Sequence, residues 1–130
     1  MDARHLETVP LFRDLSVHDR EKIARWADEV DVPVGKHLLD QGRLPHEFFV
    51  ILEGKVRVTK DGEHLAVLGP GDFFGEIALL EHQRRTASVV ATEPTRLVVM
   101  HSRDFGAMEA ELPSVAEQVK EAVRQRRARG

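Results

Sequence analysis

At 130 residues the chain has room for one hydrophobic core and not two, and 42% hydrophobic with 32% charged residues is ordinary for a soluble globular domain. A net charge of -3 argues against a general nucleic-acid binder, and the lack of cysteine excludes disulfide frameworks, thiolate zinc sites and cysteine nucleophiles. The stretch Met1-Asp2-Ala3-Arg4-His5 lacks the pattern of a signal peptide, and no window approaches the ~18 apolar residues of a membrane span, so a cytoplasmic protein without a membrane partner is expected.

The first third reads as helical. Ser16 is placed to cap a helix, Asp19 favours its first turn, and Ile23, Ala24, Trp26 and Ala27 fall on one face. The pattern stops near Asp28, after which Val30, Val32 and Val34 alternate as in a strand. From there to His101 the chain divides into short strands at 48–52, 55–60, 64–68, 86–91 and 96–101, cut by glycines. Asp61-Gly62 is a tight-hairpin signal.

Helix returns at the end. Ser102 is expected to cap a helix over 103–112, and Pro113 to interrupt it. A second helix follows, with Ser114 and Glu117 at capping-box spacing and an apolar stripe of Val115, Val119, Ala122 and Val123. It runs out in Arg124, Arg126, Arg127 and Arg129, which complement the helix end. The fold class predicted is therefore mainly β with flanking α: an antiparallel β-roll or jelly roll with an N-terminal helical segment and two C-terminal helices. One domain covers 1–130, divided into 1–29, a roll over 30–101 with a candidate phosphate segment at 74–88, and helices over 102–130.

That segment carries the chemistry. Pro70-Gly71-Asp72 turns the chain and Phe73-Phe74 anchors it in the core. Gly75 allows close backbone approach to a ligand, and the free N–H groups of a helix starting at Glu76 suit an anion. Arg85, nine residues after Glu76, adds a charge-assisted contact to phosphate oxygens. A carboxylate at Glu76 would repel a phosphate, but it would accept from a neighbouring sugar hydroxyl. A nucleoside triphosphate fits poorly, because the phosphate-loop motif and a magnesium ligand set are both missing.

Phe74-Gly75-Glu76-Ile77-Ala78-Leu79 and Arg85-Thr86-Ala87-Ser88-Val89 resemble the two halves of the phosphate-binding cassette of cyclic nucleotide-binding domains. Arg84, where many members have proline, makes the second half similar to the cassette of hyperpolarisation-activated channels. The run 49–58 and the loop 69–73 resemble the strands and turn that precede the cassette, and the likeness extends over 5–127. The resemblance implies that Glu76 holds the ribose 2′-OH and Arg85 the exocyclic phosphate oxygens. Gly75 and Ala78 would give backbone contacts and Thr86 a hydroxyl, with Phe74, Ile77 and Ala87 completing the site. The last helix would close as a lid, with Val119, Val123 and Arg124 near the base. Thr86 is compatible with cyclic GMP or cyclic AMP, and cyclic AMP is the ligand expected.

This implies a sensor that is not an enzyme, takes no cofactor or metal besides its nucleotide ligand, and is a monomer or weak homodimer. An effector protein would read the lid helix. With about a dozen residues after Val119 there is no room for a helix-turn-helix, so nucleic acid is not an expected partner. Two alternatives stand beside this reading: a degenerate domain that only contacts proteins, and a cupin-type metal enzyme. The second needs clustered histidines, and His5, His18, His37, His46, His64, His82 and His101 form no H-x-H or H-x-x-x-H pair. No G-x-S-x-G surrounds a serine, so nucleophilic hydrolysis has no support.

Overall fold

The computed structural model describes residues 1–42, 47–75 and 87–129; the side chains of Val123 and of residues 126–129 lie outside that description. A 3-10 helix, Ala3–Thr8, precedes helix α1, Val17–Trp26. Ser16 caps α1 as expected, its Oγ accepting from the Asp19 N–H at 3.1 Å. Ile23 and Ala24 are buried, Trp26 is half-buried, and Ala27 already belongs to the next strand. Arg20 leaves the solvent face of α1 and is buried, donating to the carbonyls of Arg13 and Leu15. It ties the loop before α1 to the helix.

The strands are β1 Ala27–Val32, β2 His37–Leu39, β3 Glu47–Glu53, β4 Val56–Lys60, β5 Glu63–Leu68, β6 Phe73–Phe74, β7 Ser88–Ala91 and β8 Thr95–His101. They form two antiparallel four-stranded sheets, ordered β1-β8-β3-β6 and β2-β7-β4-β5. This is the mainly β roll with flanking helices that was expected. Val34 lies past the end of β1 and is exposed, so the alternation from Val30 ends two residues early.

β3 and β8 are buried along Phe48–Ile51 and Leu97–Met100, with no alternation of apolar and polar residues. The reason is a sheet covered on both faces. Phe48, Val50, Val98 and Met100 face the helices and join Leu6, Phe12, Ile23, Phe105 and Met108 in one core. Phe49, Ile51, Leu97 and Val99 face the second sheet and meet Leu39, Val56 and Val89. The second sheet has water on its outer side, where Arg57, Leu65 and Val67 are exposed.

Helices α2, Ser102–Glu111, and α3, Pro113–Arg129, complete the chain. Ser102 is not the cap that its residue type suggested. β8 runs directly into α2, so His101 takes the cap position and no side chain caps the helix. Pro113 separates the helices by opening α3 as its first residue, where its fixed φ fits and its missing N–H goes unneeded. Ser114 therefore sits inside α3, past the cap position, and the capping box does not form there. Ala116 joins Val115 and Val119 in the buried stripe, while Ala122 is half-buried.

Between β3 and β4 the chain turns at Gly54, with φ +97. A Cβ there would lie 2.6 Å from the Pro94 carbonyl oxygen and 2.7 Å from the Thr95 Cα. Both obstacles are backbone and cannot swing away. Gly54→Ala is thus expected to destabilise the domain by about 2 kcal/mol or more, read as a lower urea midpoint at unchanged slope.

Candidate functional site

The candidate segment leaves the first sheet at Phe74-Gly75 and returns to the second at Ala87-Ser88. Its approach is tightly built. In the turn after β5, the Asp72 carboxylate accepts from the Gly69 N–H at 2.9 Å. The Gly71 N–H donates to the Ile51 carbonyl at 2.8 Å, and the Ile51 N–H donates to the Asp72 carbonyl at 2.9 Å. These bonds deliver β6 to β3 in a fixed register, Phe49 opposite Phe74 and Val50 opposite Phe73.

The two phenylalanines then point to opposite faces. Phe74 is buried between the sheets and stacks on Phe49, with centroids 4.8 Å apart and planes 12° apart. Phe73 packs against the helix-side core, its ring 5.7 Å from that of Phe48. Gly75 follows with φ +78, a left-handed conformation that a residue bearing Cβ adopts with strain.

On the return, Ala87 is half-buried and Ser88 begins β7 opposite Thr59 of β4. Val89 pairs with Val58 and with Leu39 of β2. Leu39, Val58, Leu68, Phe74 and Val89 belong to one apolar cluster on the inner faces of the roll. The two ends of the segment therefore meet a common apolar floor.

Among the predicted site residues, the structure brings Phe74, Gly75 and Ala87 to the two ends of this frame. Glu76, Ile77, Ala78, Arg85 and Thr86, and the helix expected to start at Glu76, lie outside the described residues, as does the Val123 side chain. Val119 is elsewhere: it is 2% exposed in the helix-side core beside Phe105, Met108, Val115 and Ala116. Arg124 donates to Glu117 at 3.0 Å and to Glu121 at 3.2 Å, and those hydrogen bonds, Glu117 first, hold its pKa above the usual value.

Sequence reasoning missed Gln41, and with it the contact that joins Asp61 to Ser88 at the frame's outer edge. The Gln41 N–H donates to Ser88 Oγ at 3.0 Å, and the Gln41 amide exchanges two hydrogen bonds with Asp61, at 2.8 and 3.0 Å. The partners are 47 and 20 residues apart, so no local pattern reveals them. Val58 and Leu68 were accessible in principle from the alternation of β4 and β5, whereas Leu39 of β2 was not.

A separate cavity of about 370 Å³ opens between β1 and β2, against Val30, Val32, Leu38, Leu97 and Val99. Its rim mixes Asp28 and Glu47 with Lys36, His37 and His101, so it selects no sign of charge. Among the described residues no group of three or more His, Cys, Asp or Glu side chains is placed to hold a metal ion.

Two antiparallel four-stranded sheets that share an apolar cluster, with helices packed on the outer face of one, are the architecture of a β-roll. Residues 29–111 match the family described as the cyclic nucleotide-binding domain, and the chain belongs to that family. It is 36% identical over 112 residues to the cyclic AMP receptor protein of Thermus thermophilus, covering 82% of this chain and 52% of that protein. It is 37% identical over 123 residues to a cAMP-dependent protein kinase regulatory subunit of Mycosarcoma maydis, covering 88% of this chain and 23% of that one. The crystal structure of the Thermus thermophilus catabolite activator protein superposes with a TM-score of 0.81 at 35% identity, over 92% of this chain and 58% of that one. The chain thus spans about half the length of the first relative and about a quarter of the second.

The stack of Phe74 on Phe49 is the anchor of the segment's first end. Phe74→Ala is expected to destabilise the domain by about 3–5 kcal/mol. Urea unfolding followed by the fluorescence of the single tryptophan, Trp26, measures it.

Proposed function

We propose that this domain is a non-catalytic cyclic nucleotide sensor that takes cyclic AMP in preference to cyclic GMP. The observation that carries the reading is the frame: a cassette-like sequence leaves β6 at Gly75 and rejoins the roll at Ser88 over an apolar floor. In this reading Glu76 accepts from the ribose 2′-OH, Arg85 donates to the exocyclic phosphate oxygens, and Gly75 and Ala78 offer backbone N–H groups. Thr86 adds its hydroxyl, while Phe74, Ile77 and Ala87 shape the pocket. The charges fit these roles, an arginine donating to an anion and a carboxylate accepting from a hydroxyl, and the resemblance assigns them to Arg85 and Glu76 and not to Arg84 and Glu81. Relatives named for cyclic AMP and relatives named for cyclic GMP match at similar identity, so titration with both nucleotides decides the choice of purine.

Catalysis is not part of the reading; the output is conformational. Ligand binding would draw the end of α3 towards the purine, and an effector protein would read the displaced helix. The shift can be no larger than the ligand's preference for the closed state. No helix among the described residues is long and apolar enough to cross a membrane. A cytoplasmic setting and a monomer or weak homodimer fit the proposal.

Calorimetric titration with each nucleotide tests it. Saturable binding is expected for both, tighter for cyclic AMP. No binding of either at high micromolar concentration overturns the reading and favours a domain that contacts only proteins. Arg85→Ala is expected to weaken cyclic AMP binding at least about ten-fold, with the melting temperature of the unliganded protein nearly unchanged. A large loss of stability without ligand would instead make Arg85 a structural residue.

A further inference from the structure

The exit of the phosphate segment is fastened by a residue that belongs neither to the segment nor to the apolar floor. Gln41 follows β2, Asp61 stands in the β4–β5 hairpin turn, and Ser88 opens β7. One residue joins all three: the Gln41 N–H donates to Ser88 Oγ at 3.0 Å, Gln41 Nε2 donates to Asp61 Oδ1 at 2.8 Å, and Gln41 Oε1 accepts from the Asp61 N–H at 3.0 Å. The orientation of the amide is set by chemistry, because a carboxylate can only accept and a backbone N–H can only donate. Asp61 is itself held in place: its φ of +53 and the φ of +80 at Gly62 make a tight turn that aims its N–H and carboxylate in fixed directions.

The two ends of the phosphate segment are therefore secured differently. The first end is buried, through Phe74. The second is only half-buried, and Ser88 is the first residue of its strand, where a ladder frays most readily. Arg85 lies only three residues before Ser88. In the nucleotide-binding reading Arg85 meets the phosphate, so the point at which the chain rejoins the sheet bears directly on how well that contact is placed.

We infer that Gln41 is a positioning residue for nucleotide binding: it clamps the exit of the phosphate segment to the β4–β5 hairpin tip, so that Arg85 projects from a fixed origin. The inference rests on the nucleotide-binding reading and adds to it a residue outside the cassette. It predicts that the polarity of the Gln41–Asp61 pair, and not merely the size of the side chains, sets nucleotide affinity.

The test is a polarity swap in the full chain, read by calorimetry with cyclic AMP and by thermal melting without ligand. Gln41→Glu sets a second carboxylate against Asp61 and is expected to weaken binding by about five-fold or more. Asp61→Asn, whose amide can still accept from Gln41, is expected to bind within about two-fold of the wild type. Combining Gln41→Glu with Asp61→Asn restores a donor opposite an acceptor, and asparagine tolerates the left-handed turn. The double variant is expected to recover affinity to within about two-fold of the wild type. Ser88→Ala opens the same clamp from the other side, leaves the Gln41–Asp61 pair intact, and is expected to weaken binding by about two- to three-fold. Wild-type binding with an unaltered Gln41→Glu affinity overturns the clamp and leaves the sensor reading standing. Affinity loss that tracks a fall in the unliganded melting temperature and is not rescued by the swap makes Gln41 structural and also overturns it. Failure of the wild type itself to bind removes the sensor reading, and the clamp with it.

Discussion

Everything in this domain is hung on a sheet that is apolar on both faces. β3 and β8 lie at the middle of the β1-β8-β3-β6 sheet and present one set of side chains to the helices and the alternate set to the second sheet. Each of these strands contributes to two cores at once. This removes freedom of register, because a shift of one residue would exchange the two sets, and the side chains that fit one core would be offered to the other. β6 is positioned by the same rule. Its two residues split between the cores, Phe73 to the helix side and Phe74 to the roll.

The candidate site inherits that rigidity on one side only. Its first end extends from a strand with a buried aromatic stack and a turn whose backbone groups are bonded to Ile51. Its second end belongs to the sheet with a solvated outer face, where β7 is four residues long and Ser88 is secured by exposed hydrogen bonds. A ligand held at both ends couples a firm element to a softer one. Side-chain bonds at the exit therefore carry more weight than their small individual energies suggest. Water competes with each of them, but together they limit the directions in which the exit can move.

Local signals made the elements legible, and non-local ones concealed the arrangement. The Ser16 cap and the Asp61-Gly62 hairpin rest on neighbours within a few residues, and both are present; the Phe73-Phe74 anchor was visible as an apolar pair, but its partners Phe48 and Phe49 were not. The order of the strands is a different matter. β1 lies beside β8, and β2 beside β7, through pairings between residues about 50 to 70 apart in the sequence. An unbroken apolar run such as Phe48–Ile51 does not reveal that it faces two cores, because periodicity vanishes when both faces are buried. The same limit applies at the site. Gly75 and the cassette-like sequence were visible, whereas Gln41 has no local mark. Ser102 failed as a cap because tertiary structure left no loop between β8 and α2.

Val119, which the resemblance alone put near the base, sits in the helix-side core. The α3 stripe was equally suited to cover a base or to join a core, and Val115, Ala116 and Val119 have joined the core. Lys120 strengthens that attachment, pairing with Glu109 of α2 at 2.9 Å and lying over the Phe105 ring. Lifting Val119 out would return its side chain to water at about 1.5 kcal/mol or more, and Val115 and Ala116 would add to that. A ligand must favour the closed state by more than this to move the whole helix. Beyond Lys120 the described contacts are of another kind: Arg124 bonds to Glu117 and Glu121 at the surface, within its own helix, where water readily substitutes. The first turns of α3 are therefore tied to the helix-side core and to α2, whereas the described side-chain bonds of Arg124 stay within α3 itself.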